Sequence, residues 1–253
     1  MNTIKTSLIR FLTLTLMFTV SAGVYANNQD LPSAKALFAK HIEAVGGEHA
    51  IRANNSRTIT GSFSMPAMGI NGALHVVGSA PNKMNAVVDL GQMGNSIDGY
   101  NGTVGWSMNG MTGNQLLKGD ALKVMQMRAD FYSDLNLAGD SVKQETVEIA
   151  IIDGEENYRV LLVAESGNER FLFFSKVSGL LTGKESMEKT PYGILPTLVK
   201  IGDYTQFGDL KIARNVTTNQ GGVDSIIYID SVSFDAVAEG SFDIPAEIQA
   251  MMK

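Results

Sequence analysis

The sequence predicts a mainly β protein, a large curled antiparallel sheet with two or three helices, and three observations carry that expectation. Glycine is abundant and proline scarce, 26 against 6, and the glycines separate short runs rich in Val, Ile, Thr, Phe and Tyr. About a dozen of these runs repeat with a period of two, the pattern of strands with one apolar face. Apolar residues at helical spacing are confined to the N-terminal and central segments. That many strands exceed what a flat open sheet accommodates, so the sheet must curl. No repeat, low-complexity tract or Pro/Ser-rich linker divides the chain, and one domain is expected over residues 27–253.

Residues 1–26 read as a secretory signal: Lys5 and Arg10 form a basic region, residues 11–20 an apolar one, and Val24-Tyr25-Ala26 a small-x-small cleavage site. Cleavage would shorten the chain from 253 residues to 227 by removing 26. With the loss of two basic groups it would take the formal charge from −6 to −8. After it, Asp30 can cap a helix with Pro32 in its first turn, where a missing N–H costs nothing. Ala34, Leu37, Phe38, Ile42 and Val45 follow at helical spacing, Gly46-Gly47 ends the helix, and 48–53 forms a further turn. From Arg57 the period shortens to two, giving strands at 57–65, 72–79, 83–90, 96–100 and 103–109.

Residues 120–134 interrupt the strands as a helix. Leu122, Met125, Ala129 and Tyr132 share one face, and Val124, Met127 and Phe131 widen it. An apolar surface so broad requires burial on more than one side, or a ligand over part of it. Strands resume at 142–152, 158–164, 170–175, 180–187, 198–204, 211–218 and 225–235. In the last, Ile226, Tyr228, Val232 and Phe234 fall on one face, interrupted by Asp230. Phe171 and Phe173 share one face of their strand while Leu172 and Phe174 share the other, so both faces there should be buried.

Composition excludes several function classes. A chain at −8 without a basic tract repels nucleic acid and anionic membrane surfaces. With no cysteine it has no disulfide, thiolate metal site, cysteine nucleophile or lipid-anchored cysteine. No segment after the signal is long and apolar enough to span a bilayer, so an exported, soluble protein is expected, and these features together fit a bacterial periplasm. His41 and His49 bracket Glu43 and Glu48, but the spacing matches no zinc motif and Gly46-Gly47 separates the imidazoles. Both read as solvated helix-end residues, and no metal or other cofactor is implied. No G-x-S-x-G elbow or phosphate loop occurs, the glycines of 91–113 read as hairpin turns, and no enzyme activity is indicated. Methionine is the informative excess. Eleven of 13 lie beyond the signal, with close pairs at Met65/Met68, Met108/Met111 and Met125/Met127. Flexible thioethers suit irregular core gaps, a cavity that adapts to apolar ligands, or Cu(I), though no histidine backs the last.

Several segments carry a family resemblance: His41 to Glu48, Thr58-Ile59-Thr60-Gly61, Pro81-Asn82-Lys83, Gly99-Tyr100-Asn101-Gly102 leading to Gly105-Trp106, Asp203-Tyr204, residues 229–234, and Phe242-Asp243-Ile244-Pro245. Together they resemble LolA-like proteins, described as outer-membrane lipoprotein-sorting proteins, over nearly the whole chain after the signal. The chain is longer than the lipoprotein carriers of that group, and Ala213 stands where a proline is usual, so it looks like a broad member of the superfamily. The resemblance implies a half-closed antiparallel barrel around helices, with an apolar cavity that accepts acyl chains; the 120–134 helix, whose apolar surface is wider than a one-sided contact needs, is the expected lid. Trp106, Met108, Leu122, Met125, Phe131, Phe171 and Phe173 are the candidate cavity residues. The implied partners are a lipid or lipoprotein acyl chains bound to a monomer, with a sensor acting through an envelope protein, or an enzyme on a small apolar substrate, as alternatives.

Overall fold

The computed structural model describes residues 31–110, 112–190 and 193–252. The signal segment, Asp30 and Met111 lie outside these residues. Helix α1 (Ala34–Ala44) is capped by Ser33, whose Oγ accepts the Ala36 N–H at 3.2 Å. Pro32 therefore precedes the cap instead of entering the first turn, and its carbonyl accepts the Thr146 hydroxyl at 2.6 Å. The helix stops at Gly46, where φ is +130° and a Cβ would lie 2.4 Å from the Asp209 carbonyl oxygen. Only glycine fits both the conformation and the close approach. Helix α2 (Gly47–Ala53) follows.

The chain then builds one meander: β1 (Ser56–Met65), β2 (Ile70–Ser79), β3 (Lys83–Asp89), β4 (Asn95–Tyr100), β5 (Gly105–Asn109) and β6 (Gly113–Leu116). Helix α3 (Gly119–Ala129) and an irregular segment lead to the second: β7 (Ser141–Ile152), β8 (Glu155–Ala164), β9 (Glu169–Ser175), β10 (Leu181–Thr190), β11 (Gly193–Phe207), β12 (Leu210–Gln220) and β13 (Val223–Ser233). A short helix, α4 (Ala246–Ala250), lies near the C-terminus. Pairing of β1 with β13 joins the meanders into a single 13-stranded antiparallel sheet with β6 and β7 at its edges. The sheet curls without closing, as expected. Every strand read from the alternation is present. The four-residue β6 and the C-terminal helix are additions, and the central helix is shorter than its apolar pattern suggested.

Two helices cover opposite ends of one face. Ala34 and Leu37 of α1 bury against Val160, Leu162, Leu172, Phe174 and Leu181 of β8–β10. Met125 and Ala129 of α3 pack on Tyr100, with Met84, Leu117 and Leu122 at the margin. A bulge between Thr60 and Gly61 leaves Asp230 of β13 without an opposite residue. Such an extra residue shifts the alternation. Ile226 and Tyr228 pair with Ser64 and Ser62, whereas Val232 pairs with Ile59, so the four apolar residues of that strand do not share a face.

Candidate functional site

Pairing register traces the helix-covered face across the whole sheet. It runs from Leu172 to Lys184, Val199 and Thr218, then from Val216 to Ile227 and Phe63. From Gly61 it continues to Leu74 and Val88, and at Tyr100 and Gly105 it meets α3. Between the two helices this inner face carries Val199, Val216, Ile227, Ile59, Phe63 and Val76. All are half-buried and none belongs to either helix-packed cluster. In a strand, an aliphatic side chain on a face that neither helix nor second sheet covers is a surface for something else.

The inner face is concave, and the segment after α3 shows the bend. β1 and β10 stand four strands apart, about 19 Å along a flat sheet, yet residues 131–134 reach both: the Phe131 ring lies 4.8 Å from the Arg57 guanidinium of β1, and Asp134 bonds His41, which in turn bonds Leu181 of β10. Asp134 lies in the segment after α3 and accepts from His41 Nε2 at 3.3 Å, while His41 Nδ1 accepts the Leu181 N–H at 3.1 Å. His41 is 1% exposed. This corrects its reading as a solvated residue: both ring nitrogens are used to tie α1 to β10 and to the crossing segment. His49 is exposed, as expected.

Burial pushes the Asp134 carboxyl up, but the hydrogen bond from His41 and the charges of Arg57 and Lys184 outweigh it and hold the group below the usual carboxylate range. Burial pushes the Tyr204 phenol well above its ordinary value, with Asp134 adding to the rise. Its hydroxyl donates to the Leu181 carbonyl at 2.8 Å. Lys184 is exposed on the inner face, opposite Val199 and Leu172. Lost bulk solvation there lowers its ammonium pKa, Arg170 lowers it further, and Asp134 opposes both.

The seven candidate cavity residues are divided by the sheet. Leu122 and Met125 sit on α3 against the inner face. Phe131 is buried just beyond that helix, edge-on to Tyr132 and beneath the Arg57 guanidinium at 4.8 Å. The central helix ends at Ala129 because the chain turns: the Phe131 N–H donates to the Pro81 carbonyl at 3.0 Å, and Asp130 accepts the Tyr132 N–H. Trp106 and Met108 occupy the other face of β5, opposite Gly99 and Ile97. Trp106 is fully buried there. Phe171 and Phe173 also face outward, on the side of β9 away from α1. Both faces of β9 are thus buried or half-buried, as the alternation required.

Outside Phe171 and Phe173 the tip of the β7–β8 hairpin folds over the sheet and leaves an open groove of about 440 Å³. Ile152, Phe173 and Leu198 contribute its apolar surface. Arg159 lies 3.6 Å above the Phe171 ring and bonds Glu148 and Glu185 at 2.8 and 3.1 Å. Lys200 closes the far rim on Asp153 at 2.7 Å. Among the described residues no group of three or more His, Asp or Glu could hold a metal ion, and no helix is long and apolar enough to cross a membrane.

Sequence reasoning passed over Arg57, Lys184 and Asp134. The available signal was a cation inside each of two alternating runs. Its meaning depended on which face turned inward, and that is decided by helix docking.

Neither a family model nor a curated relative matches the sequence. Solved structures do match. A LolA superfamily protein from Nitrosomonas europaea aligns over 85% of this chain and 99% of its own, with 10% identity and a TM-score of 0.57. A DUF1329 family protein from Desulfovibrio piger aligns over 84% and 98%, with 8% identity and a TM-score of 0.58. A Vibrio parahaemolyticus chain described as an outer membrane lipoprotein-sorting protein domain aligns over 81% and 97%, with 10% identity and a TM-score of 0.52. At such identities the likeness is one of fold, and the fold of this chain is LolA-like.

Proposed function

We propose that the chain is an exported envelope carrier that holds lipid acyl chains, free or on a lipoprotein, against the open middle of its concave face. The observation that carries this reading is the set of half-buried aliphatic and aromatic side chains between the two helix-packed ends. Each methylene laid on such a surface contributes about 0.8 kcal/mol, so one acyl chain supplies most of an affinity without any catalytic group. Helix α3 serves as the movable cover. Only Met125 and Ala129 of it are buried, while Val124 and Met127 remain 42% and 57% exposed. Its N-cap residue, Lys118, makes no side-chain capping hydrogen bond. Leu122, Met125 and Phe131 are the candidate residues on this side of the sheet.

Mass spectrometry of protein exported to the periplasm and purified without detergent tests the reading. A stoichiometric lipid, fatty acid or acylated peptide is expected, and Ile227→Glu, which places a charge between Phe63 and Val216, should abolish it. A wild-type protein that is empty and takes up no fluorescent fatty acid refutes the carrier.

The outer face favours a second reading, a sensor acting through a protein partner. Met187, Ile194 and Leu198 are 61%, 66% and 39% exposed on β10 and β11, and Leu198 also lines the outer groove. Cross-linking of the mature protein in the envelope, with and without Leu198→Asp, distinguishes the two: a partner lost with that substitution supports the sensor.

A further inference from the structure

The concave face holds two cations that lack a direct partner. Among the described residues neither Arg57 nor Lys184 has an ion pair or hydrogen bond; Arg57 only stacks on Phe131. The acidic groups nearby are already committed. Asp134 accepts from His41, and Asp130 accepts the Tyr132 N–H and the Asn136 amide at 3.0 and 2.8 Å. Arg170, the third inner cation, donates to the Ala138 carbonyl at 2.8 Å. Lys184 lies beside Val199 and Leu172 in register, and Arg57 shares its strand face with Ile59 and Phe63. Arg57 is half-buried and Lys184 exposed, so both cationic heads are open to an anion from solution, and the apolar side chains that border them are left uncovered by either helix.

We propose that the ligand is an anionic amphiphile, its head-group oxyanion held by Lys184 and Arg57 and its chain laid along Ile59, Phe63 and Val199. A carboxylate and a phosphate monoester or diester share the chemistry that this pair of cations recognises. The inference rests on the carrier reading and adds head-group selectivity to it. Lys184 supplies a point charge that reaches water and can follow an entering head group. Arg57, stacked on Phe131, supplies fixed N–H donors deeper in the hollow.

The test compares cis-parinaric acid with its uncharged methyl ester, both read by fluorescence on the delipidated mature protein at neutral pH. Wild type should prefer the acid by about tenfold, the scale of one charge-assisted contact. The preference should fall to about twofold or less in Lys184→Met and in Arg57→Met, and Lys184→Arg should restore most of it. Cooperative melting of each variant verifies the fold. Should Arg57→Met unfold through loss of its stacking on Phe131, Lys184→Met carries the test alone. Equal binding of acid and ester by wild type overturns the head-group inference and leaves the carrier, whereas binding of neither overturns the carrier. A preference that survives Lys184→Met overturns the head-group inference as well. Inorganic phosphate binding as tightly as the fatty acid makes the recess a plain anion site and overturns the amphiphile. Competition by phosphatidylglycerol vesicles but not by phosphatidylcholine identifies a phospholipid source.

Discussion

Locking α3 to the sheet should remove the part of lipid binding that depends on chain length. A Cβ on Gly105 would lie 3.5 Å from Met125 Cγ, and its nearest neighbour, the flexible Leu122 Cδ1 at 2.9 Å, can shift to admit it. The pair Gly105→Cys and Met125→Cys can therefore approach the Cβ separation of about 3.5–4.5 Å that a disulfide requires. The native chain has no cysteine to compete. The bridge closes a loop of about 20 residues and adds about 3 kcal/mol by the loop-entropy relation. The magnitude at stake follows from what α3 buries. Releasing Met125 and Leu122 costs about 1.5–3 kcal/mol each and the Ala129 methyl about 0.8, roughly 4–7 in all. A ligand must then place about five to nine methylenes beneath the helix, at ~0.8 kcal/mol each, before lifting it is neutral. In a series of saturated fatty acids that displace a fluorescent probe, the reduced variant should gain affinity towards the long chains. The oxidised variant should level off, with the longest chain held about tenfold more weakly, a difference of about 1.4 kcal/mol. Equal affinity for the longest chain in both redox states refutes α3 as the cover.

Two other substitutions probe the frame around the site. Gly99→Ala sets a methyl 2.2 Å from the Trp106 ring, which is fully buried; a loss of about 1–3 kcal/mol in urea unfolding is expected from overpacking, and a loss under about 0.5 refutes the close fit. Asp134 has a native pKa below its unfolded value, so its contribution to stability is present above the ordinary carboxylate pKa of about 3.9 and lost as pH falls through the lowered one. The stability advantage of wild type over Asp134→Asn should shrink between about pH 5 and pH 2 in paired urea titrations, and a constant difference contradicts the coupling to His41, Arg57 and Lys184.

The strands were legible because each carries its own punctuation. Glycine turns bound the runs, and alternation within them survives any tertiary arrangement. β6 was not, since Gly113-Asn114-Gln115-Leu116 has no apolar alternation and is a strand only through pairing with β5. The central helix was read too long for a related reason. Phe131 and Tyr132 continue the apolar spacing, but the Phe131 N–H is captured by Pro81 across the fold. What the alternation could not settle is direction. It gave Phe171/Phe173 and Leu172/Phe174 as two faces of one strand, and the docking of Leu37 from α1 alone makes the second pair the inner one. Trp106 behaves likewise: its ring lies over Gly99, on the face away from α3. Bulges compound the problem, because the extra residue at Asp230 exchanges the faces within one strand.

The place of α3 in the topology would let the helix move without cost to the sheet. Its segment joins β6 to β7, the two edge strands, so no ladder hydrogen bond runs through it. Gly119 and Gly139, both at φ +55°, bracket it. They supply left-handed turns at entry and exit, where other residues would resist the change of direction. Along the segment the anchoring is uneven. The α3 half rests on a small methionine-containing cluster, whereas the following half is pinned by Phe131 against Gly78 and Arg57, by Asp134 to His41, and by the Ala138 carbonyl to Arg170. Opening should therefore begin at α3 and stop near Asp130. That would leave the His41–Asp134 tie and the two inner-face cations in place as the fixed pole of the hollow, while the end of the face beneath α3 changes from helix-covered to ligand-covered.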